Sequence, residues 1–320
     1  MQVNSKEKNP LRTMPVVHEL VQTLACWQAE HAAEGTFLIL AGPTAVGKTA
    51  LSLALAETLG AEIISADSRQ VYRQLNIGTA KPDPEALARV PHHFINERDL
   101  GEPFSAGHFA FEAWARMAAI LERGRIPLVV GGSTLYLEAL QFGLAEIPDI
   151  DPSVRQWLQE RLAREGPERL YRELVQVDPQ AAQRLDPSKT QRVLRALEVY
   201  HGTGRPITAY YQNHRRPPYA FRTIVLYRER SVLYERINRR VDAMLEAGLV
   251  QEVESLLQAG YDPTLEALRT IGYAEVIPYL KGVYPYATMR ALIQRNTRRY
   301  AKRQLAWFRR FSFEWILLED

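Results

Sequence analysis

The chain has 320 residues, 46% apolar and 24% charged, which suits one large folded domain with an insertion, or two domains of ordinary size. Its 40 Lys and Arg are nearly cancelled by 37 Asp and Glu, so a net charge of +3 argues for no polyanionic partner and only the local distribution of charge is informative. The single cysteine, Cys26, excludes an internal disulfide and a thiolate metal site, and no apolar run is long enough to cross a bilayer, so the expectation is a cytoplasmic protein without a membrane span.

Residues 1–35 read as an N-terminal extension. They open with a polar segment, lack the apolar region of a secretory signal, and continue into Val17 to His31, a stretch whose spacing predicts a short amphipathic helix. Thr36 to Ala41 is an apolar run closed by a Gly-containing turn and followed by the helix formers Ala50 to Leu59: strand, loop, helix. The pattern recurs with strands at Ala61–Ser65 and Ile126–Val130 and a helix over Ala106 to Arg123 between them. Unalternating strands interleaved with helices predict an α/β fold with a parallel sheet flanked by helices. From Asp151 to about Tyr200 the chain turns polar and helical, with breaks at Gly166-Pro167, Asp178-Pro179 and Asp186-Pro187. Residues 146–185 are therefore expected to form an all-helical insertion, bracketed by a core of 36–145 and 186–320. Arg222 to Tyr227 returns as a strand, and Leu233 to Leu257 and Tyr286 to Phe311 read as long helices.

Gly42-Pro43-Thr44-Ala45-Val46-Gly47-Lys48-Thr49 is a full P-loop pattern in strand-to-helix context. Its glycines let the backbone curl around an anion, the helix N-terminus points free amides and a positive dipole end at it, and Lys48 adds a point charge. Thr49 is the candidate ligand for Mg²⁺. A P-loop specifies phosphate, not a reaction, because kinases, nucleotide triphosphatases and transferases share the cradle. Asp67 follows the second strand on the same sheet edge, where it is a candidate metal ligand or base, with a capping aspartate as the alternative.

The P-loop, Asp67-Ser68-Arg69-Gln70 with Tyr72, and Asn76 to Pro82 together resemble the bacterial tRNA dimethylallyltransferase family. Pro91-His-His93, Phe104-Ser-Ala106, Val130 to Tyr136, Gln191 to Tyr200, Ile271-Gly-Tyr273 and Arg298 to Gln304 resemble further motifs of that family, in order, from about Thr36 to Phe311. The resemblance implies a P-loop NTPase-like fold and transfer of a dimethylallyl group from its diphosphate to N6 of adenosine 37 in the tRNA anticodon stem-loop, by a monomer using Mg²⁺. It implies that Asp67 is the base, a role that makes physical sense because the lone pair of an exocyclic amine is delocalised into the ring. Lys48, the P-loop and Arg240 would offset charge on the departing diphosphate, with Arg239 as the rival of Arg240. Ser133, where family members often carry Thr, would contribute a hydroxyl, with Thr134 as its rival. For tRNA contact the resemblance points to Asp67, Ser68, Arg69, Gln70, Ser133, Arg155, Gln191, Arg192, Val193, Leu194 and Arg195. The run from Arg290 to Arg310 adds eight Lys or Arg and no acidic residue, a basic stripe suited to a phosphate backbone or to plain solvation.

Three readings compete. A kinase would want an apolar strand ending in a metal-binding Asp, which no segment supplies clearly. A prenyltransferase acting on free adenylate has less need of the insertion and the basic helix. A non-catalytic nucleotide switch has no need of Asp67.

Overall fold

The computed structural model describes residues 12–13, 17–211 and 215–319. The described residues form two compact units, a core up to residue 141 and from residue 217 onward, and a helical unit within residues 142–216.

The core carries one sheet. Its strands are β1 (Arg12–Thr13), β2 (Thr36–Ala41), β3 (Glu62–Ala66), β4 (His92–His93), β5 (Pro127–Gly131), β6 (Ala220–Tyr227) and β7 (Glu314–Leu317), in the spatial order β1-β7-β6-β2-β5-β3-β4. Every pairing is parallel. The middle strands are buried along nearly their whole length, which is why their sequences are unbroken apolar runs rather than alternating ones.

In chain order the helices are α1 (Val17–His31), α2 (Lys48–Leu59), α3 (Pro84–Arg89), α4 (Ala106–Glu122), α5 (Thr134–Phe142), α6 (Pro152–Glu165), α7 (Pro167–Val177), α8 (Pro179–Ala182), α9 (Thr190–Thr203), α10 (Arg230–Glu246), α11 (Leu249–Gln258), α12 (Tyr273–Leu280) and α13 (Tyr286–Phe308). Helix α1 is no loose extension. Leu20, Val21 and Leu24 are buried in one core cluster with Leu38, Leu40 and Leu55, and the amide of Gln28 spans the Thr36 carbonyl (3.0 Å) and the Leu38 N–H (2.7 Å). Burying each such aliphatic side chain contributes about 1.5–3 kcal/mol.

Two expectations are corrected. The stretch Leu233 to Leu257 is two helices rather than one, because Gly248 takes φ +101°, a conformation that ends α10 and that only glycine adopts without strain. The helical unit is also longer than 146–185. Helix α9 packs on α6 and α7, with Val193, Leu194 and Leu197 sharing one core with Leu158, Leu170 and Leu174. The Asp186-Pro187 break that looked like a domain boundary is a turn inside that bundle, where Asp186 accepts the Ser188 N–H at 2.9 Å.

Candidate active site

The sheet order brings three loops together. Strand β5 lies between β2 and β3, with Gly131 paired in register to Ala41 on one side and Ala66 on the other. The P-loop, the Gly132-Ser133 turn and Asp67 therefore leave the carboxyl edge at one level, where parallel sheets bind ligands. In the P-loop, Gly42 sits at φ +151°, and a Cβ there would fall 2.7 Å from the Leu226 carbonyl. Arg236 donates to the Ala45 carbonyl (3.0 Å) and Arg228 to that of Val46 (2.9 Å), fixing the loop from behind. The first-turn amides of α2 have no intrahelical acceptor and are free for an anion.

Lys48 donates to the carbonyls of Gly42 (2.9 Å) and Pro43 (2.8 Å), so its ammonium is folded back into its own loop. Burial, reinforced by Arg240 and opposed by Asp67, pulls Lys48 down to about 7. Burial likewise lowers Arg240, with Asp67 opposing. Two cations and one carboxylate thus share a poorly solvated pocket that an anion would complete.

Asp67 Oδ1 accepts the N–H groups of Arg69 (2.9 Å) and Gln70 (3.3 Å), which fixes the carboxylate on its turn. Ser133 joins this turn from the neighbouring strand. Its N–H donates to the Ala66 carbonyl (3.2 Å) and its Oγ accepts the Ser68 N–H (2.9 Å). Burial, with Asp67 adding to it, raises the Tyr300 phenol to about 12, so it stays protonated beside them.

Three hollows line up around these groups. The first, about 360 Å³, is bounded by the P-loop, Gly132, Arg236 and Arg240. The second, also about 360 Å³, adds an apolar wall of Val241, Met244, Ile271 and Ile293. Thr44, Asp67, Thr79, Arg240 and Tyr300 line both. A third, about 600 Å³, is aromatic through Tyr72, Phe104 and Tyr136, and shares Ser68, Arg69, Ser133 and Tyr300 with the second.

The expected residues divide unevenly. Thr44 to Thr49, Asp67, Ser68, Arg69, Ser133 and Arg240 all meet in these hollows, whereas Gly42 and Pro43 are buried behind them and touch the site only through the carbonyls that accept Lys48. Arg240 rather than Arg239 faces them, since Arg239 is 65% exposed and lies 3.6 Å from Glu235. Thr134 lines only the third hollow. Gln70 also lines the first hollow, with its Nε2 donating to the Thr79 (3.1 Å) and Ala80 (3.2 Å) carbonyls, so that it braces the loop beside it. In the helical unit, Gln191, Arg192 and Arg195 are exposed on α9, but Val193 and Leu194 are 2% and 0% exposed. Those two side chains cannot reach RNA, because they are the apolar face on which α9 is seated.

Sequence reasoning assigned no role to Thr79, Tyr300, Gln304 or the pair Glu252 and Tyr273. Glu252 accepts the N–H groups of Asn76 (3.2 Å), Ile77 (2.9 Å) and Gly78 (3.3 Å) and the Tyr273 hydroxyl (2.5 Å), and so holds the loop that presents Thr79. The motifs Asn76 to Pro82 and Arg298 to Gln304 pointed at this region without saying what touches what. His92 and His93 form a short edge strand, and His93 lies 2.7 Å from Glu62. Among the described residues no group of three or more His, Cys, Asp or Glu could hold a metal, and no helix is long and apolar enough to cross a membrane.

Comparison with known proteins adds an independent line. Residues 70–311 match the family model described as IPP transferase. A tRNA dimethylallyltransferase of Salinibacter ruber is 58% identical over 289 residues, covering 90% of this chain and 89% of that protein, and one of Chlorobaculum parvum is 48% identical over 286 residues, 87% and 91% of the two chains. Among solved structures, a tRNA isopentenylpyrophosphate transferase of Bacillus halodurans superposes with a TM-score of 0.64 at 40% identity, over 88% of this chain and 90% of the other. A eukaryotic dimethylallyltransferase acting on tRNA gives a TM-score of 0.73 at 30% identity, over 85% of this chain and 69% of that one.

Proposed function

This chain belongs to the IPP transferase family, and from that premise we propose that it transfers the dimethylallyl group of dimethylallyl diphosphate to N6 of adenosine 37 in a tRNA anticodon loop. The products are N6-dimethylallyladenosine and diphosphate. The observation that carries the reading is that Asp67 and Arg240 line both a P-loop pocket and an adjoining pocket with an apolar wall. A kinase needs an acceptor pocket beside its P-loop but no apolar wall for a hydrocarbon tail. A prenyl transfer needs both, with a carboxylate where they meet.

In this reading the P-loop amides, Lys48 and Arg240 hold the diphosphate, and the apolar wall takes the prenyl tail. The adenine enters past Ser68, Arg69 and Ser133. The allylic C1–O bond breaks, the N6–C1 bond forms, and the N6 proton passes to Asp67. Lys48 and Arg240 stabilise charge that grows on the leaving diphosphate, in a site too poorly hydrated for water to do so.

Mg²⁺ fits the donor set of the first pocket: Thr49 offers one hydroxyl on the exposed first turn of α2, and diphosphate oxygens and water would complete the shell. Bound there it would neutralise part of the diphosphate charge.

For the tRNA backbone, α13 offers Arg295, Arg299, Lys302 and Arg303, all exposed and, among the described residues, without a carboxylate partner. Their spacing puts them on the face opposite the buried Ile293, Ala301 and Phe308. Arg155, Arg192 and Arg195 of the helical unit are the further contacts. In this reading the protein acts as a monomer.

The test is incubation with unmodified tRNA, Mg²⁺ and labelled dimethylallyl diphosphate, followed by nucleoside analysis. Label is expected in N6-dimethylallyladenosine, falling by about 10²- to 10⁴-fold for Asp67→Ala. Label on free AMP and none on tRNA would replace this reading with an adenylate prenyltransferase.

A further inference from the structure

We propose that Gln304 is a positioning residue that sets the separation between the diphosphate cradle and the turn carrying Asp67 and Ser133; the inference rests on the prenyl-transfer reading above. Gln304 lies on α13, carries an uncharged amide and is 2% exposed. A buried amide needs a donor and an acceptor, and this one takes them from two different loops. Its Oε1 accepts the Thr44 N–H of the P-loop at 3.0 Å, and its Nε2 donates to the Gly132 carbonyl at 2.7 Å.

The two loops serve opposite ends of the reaction. Thr44 lies in the cradle that holds the leaving group. Gly132 precedes Ser133, which is bonded to the Ala66 carbonyl and the Ser68 N–H on either side of Asp67. Gln304 is thus a single rigid amide spanning leaving-group site and base. The junction is tight: a Cβ on Gly132 would sit 2.5 Å from the Gln304 Nε2 and 2.9 Å from the Gly42 carbonyl.

A second consequence concerns the anion. The Thr44 N–H is committed to Gln304 and is not offered to phosphate, so the cradle presents the amides that follow it. A P-loop held from one side in this way is fixed before substrate arrives, and the gap in which carbon and nitrogen must meet is fixed with it. Misplacing reacting groups by about 1 Å can cost on the order of 10²-fold in rate.

The experiment compares wild type, Gln304→Met and Gln304→Asn in single-turnover transfer to tRNA, with inorganic diphosphate and Mg²⁺ as the binding probe and thermal melting as the check on folding. Methionine keeps the length and loses both hydrogen bonds. Its transfer rate per folded active site is expected to fall about 10- to 100-fold, while its diphosphate affinity stays near that of wild type. Asparagine keeps donor and acceptor on a shorter stem and should give an intermediate rate. An unchanged rate, or a loss confined to diphosphate affinity, overturns the proposal, since either would make Gln304 a mere prop of the P-loop. If the methionine variant does not fold, the same split in Gln304→Asn decides. Wild type that labels no tRNA would instead defeat the reading of the function.

Discussion

The core cleft and the helical unit use the same cationic side chains in opposite ways. In the cleft, Lys48 and Arg240 share one carboxylate, and burial depresses the proton affinity of both. In the helical unit, Arg161 lies 2.9 Å from Glu165 and 2.8 Å from Glu173, which also accepts His201 at 2.6 Å, and Glu198 lies 3.1 Å from both Arg155 and Arg195. Hydrogen bonds from Arg161 and then Arg164 bring Glu165 down to about 2, and Glu165 and Glu173 raise Arg161 in turn. Charge left unmet is held at a cost in stability and is available to a ligand. Charge met internally fixes geometry and is available to nothing else until a partner competes for it.

Replacing the unmet charge should therefore separate function from stability most sharply. Lys48→Met is expected to lower kcat/KM by about 10²- to 10³-fold, with a melting temperature equal to or above that of wild type, because a desolvated ammonium is removed. The acid–base consequence has a definite sign. Lys48 ordinarily titrates near 10.5 and here near 7, so the free protein has lost that proton by pH 8, and a bound diphosphate favours its return. Calorimetry of inorganic diphosphate binding at pH 8, in two buffers of different ionisation enthalpy, should show proton uptake by wild type that Lys48→Met lacks. Equal uptake by both would mean that Lys48 is not the group that titrates. By the same sign, stability contributed through Lys48 rises with pH between about 7 and 10.5.

The helical unit should answer the other way. Asp178, 1% exposed, accepts the Ala181 N–H (2.9 Å), the Thr208 hydroxyl (2.9 Å) and the Thr208 N–H (3.1 Å). Asp178→Ala leaves that buried N–H unpaired and removes the cap of α8, and should cost about 2–4 kcal/mol in denaturant unfolding. Transfer of label to tRNA well below the melting point should be nearly unchanged. A large loss of activity at full folding would show that this carboxylate serves more than the bundle.

What was legible in the sequence follows from the kind of interaction involved. The P-loop, the strands that flank it and Asp67 are local in sequence, since a strand, a turn and a helix start can be read within twenty residues. The sheet order was not local. That β5 lies between β2 and β3, and so brings Ser133 beside Asp67, depends on pairings across more than sixty residues. Gln304 reaches Thr44 across 260 residues, and Glu252 reaches Ile77 across 175, so the role of Gln304 had no signal beyond membership in a motif and that of Glu252 had none. The run Gln191 to Arg195 shows the converse limit. Its place in a motif marks the helix, but only the packing of α9 separates the exposed Gln191, Arg192 and Arg195 from the buried Val193 and Leu194.

The smallest expected effect tests whether the internally met charges of the helical unit also serve RNA. Glu198 holds Arg155 and Arg195 at equal distance, and Arg155 also donates to Gln191 at 2.7 Å. In Glu198→Gln the shape is kept and one negative charge is removed beside two cations, so an approaching phosphate no longer competes with a carboxylate. The KM for tRNA should fall by about 2- to 5-fold at low ionic strength, the size of a partly exposed ion pair. The advantage should shrink as salt screens it, while the KM for dimethylallyl diphosphate stays put. A rise in the tRNA KM would carry the opposite meaning: Glu198 would then be holding the two guanidinium groups in the orientation that RNA needs, and the ion pairs would be part of the recognition surface, not competitors of it.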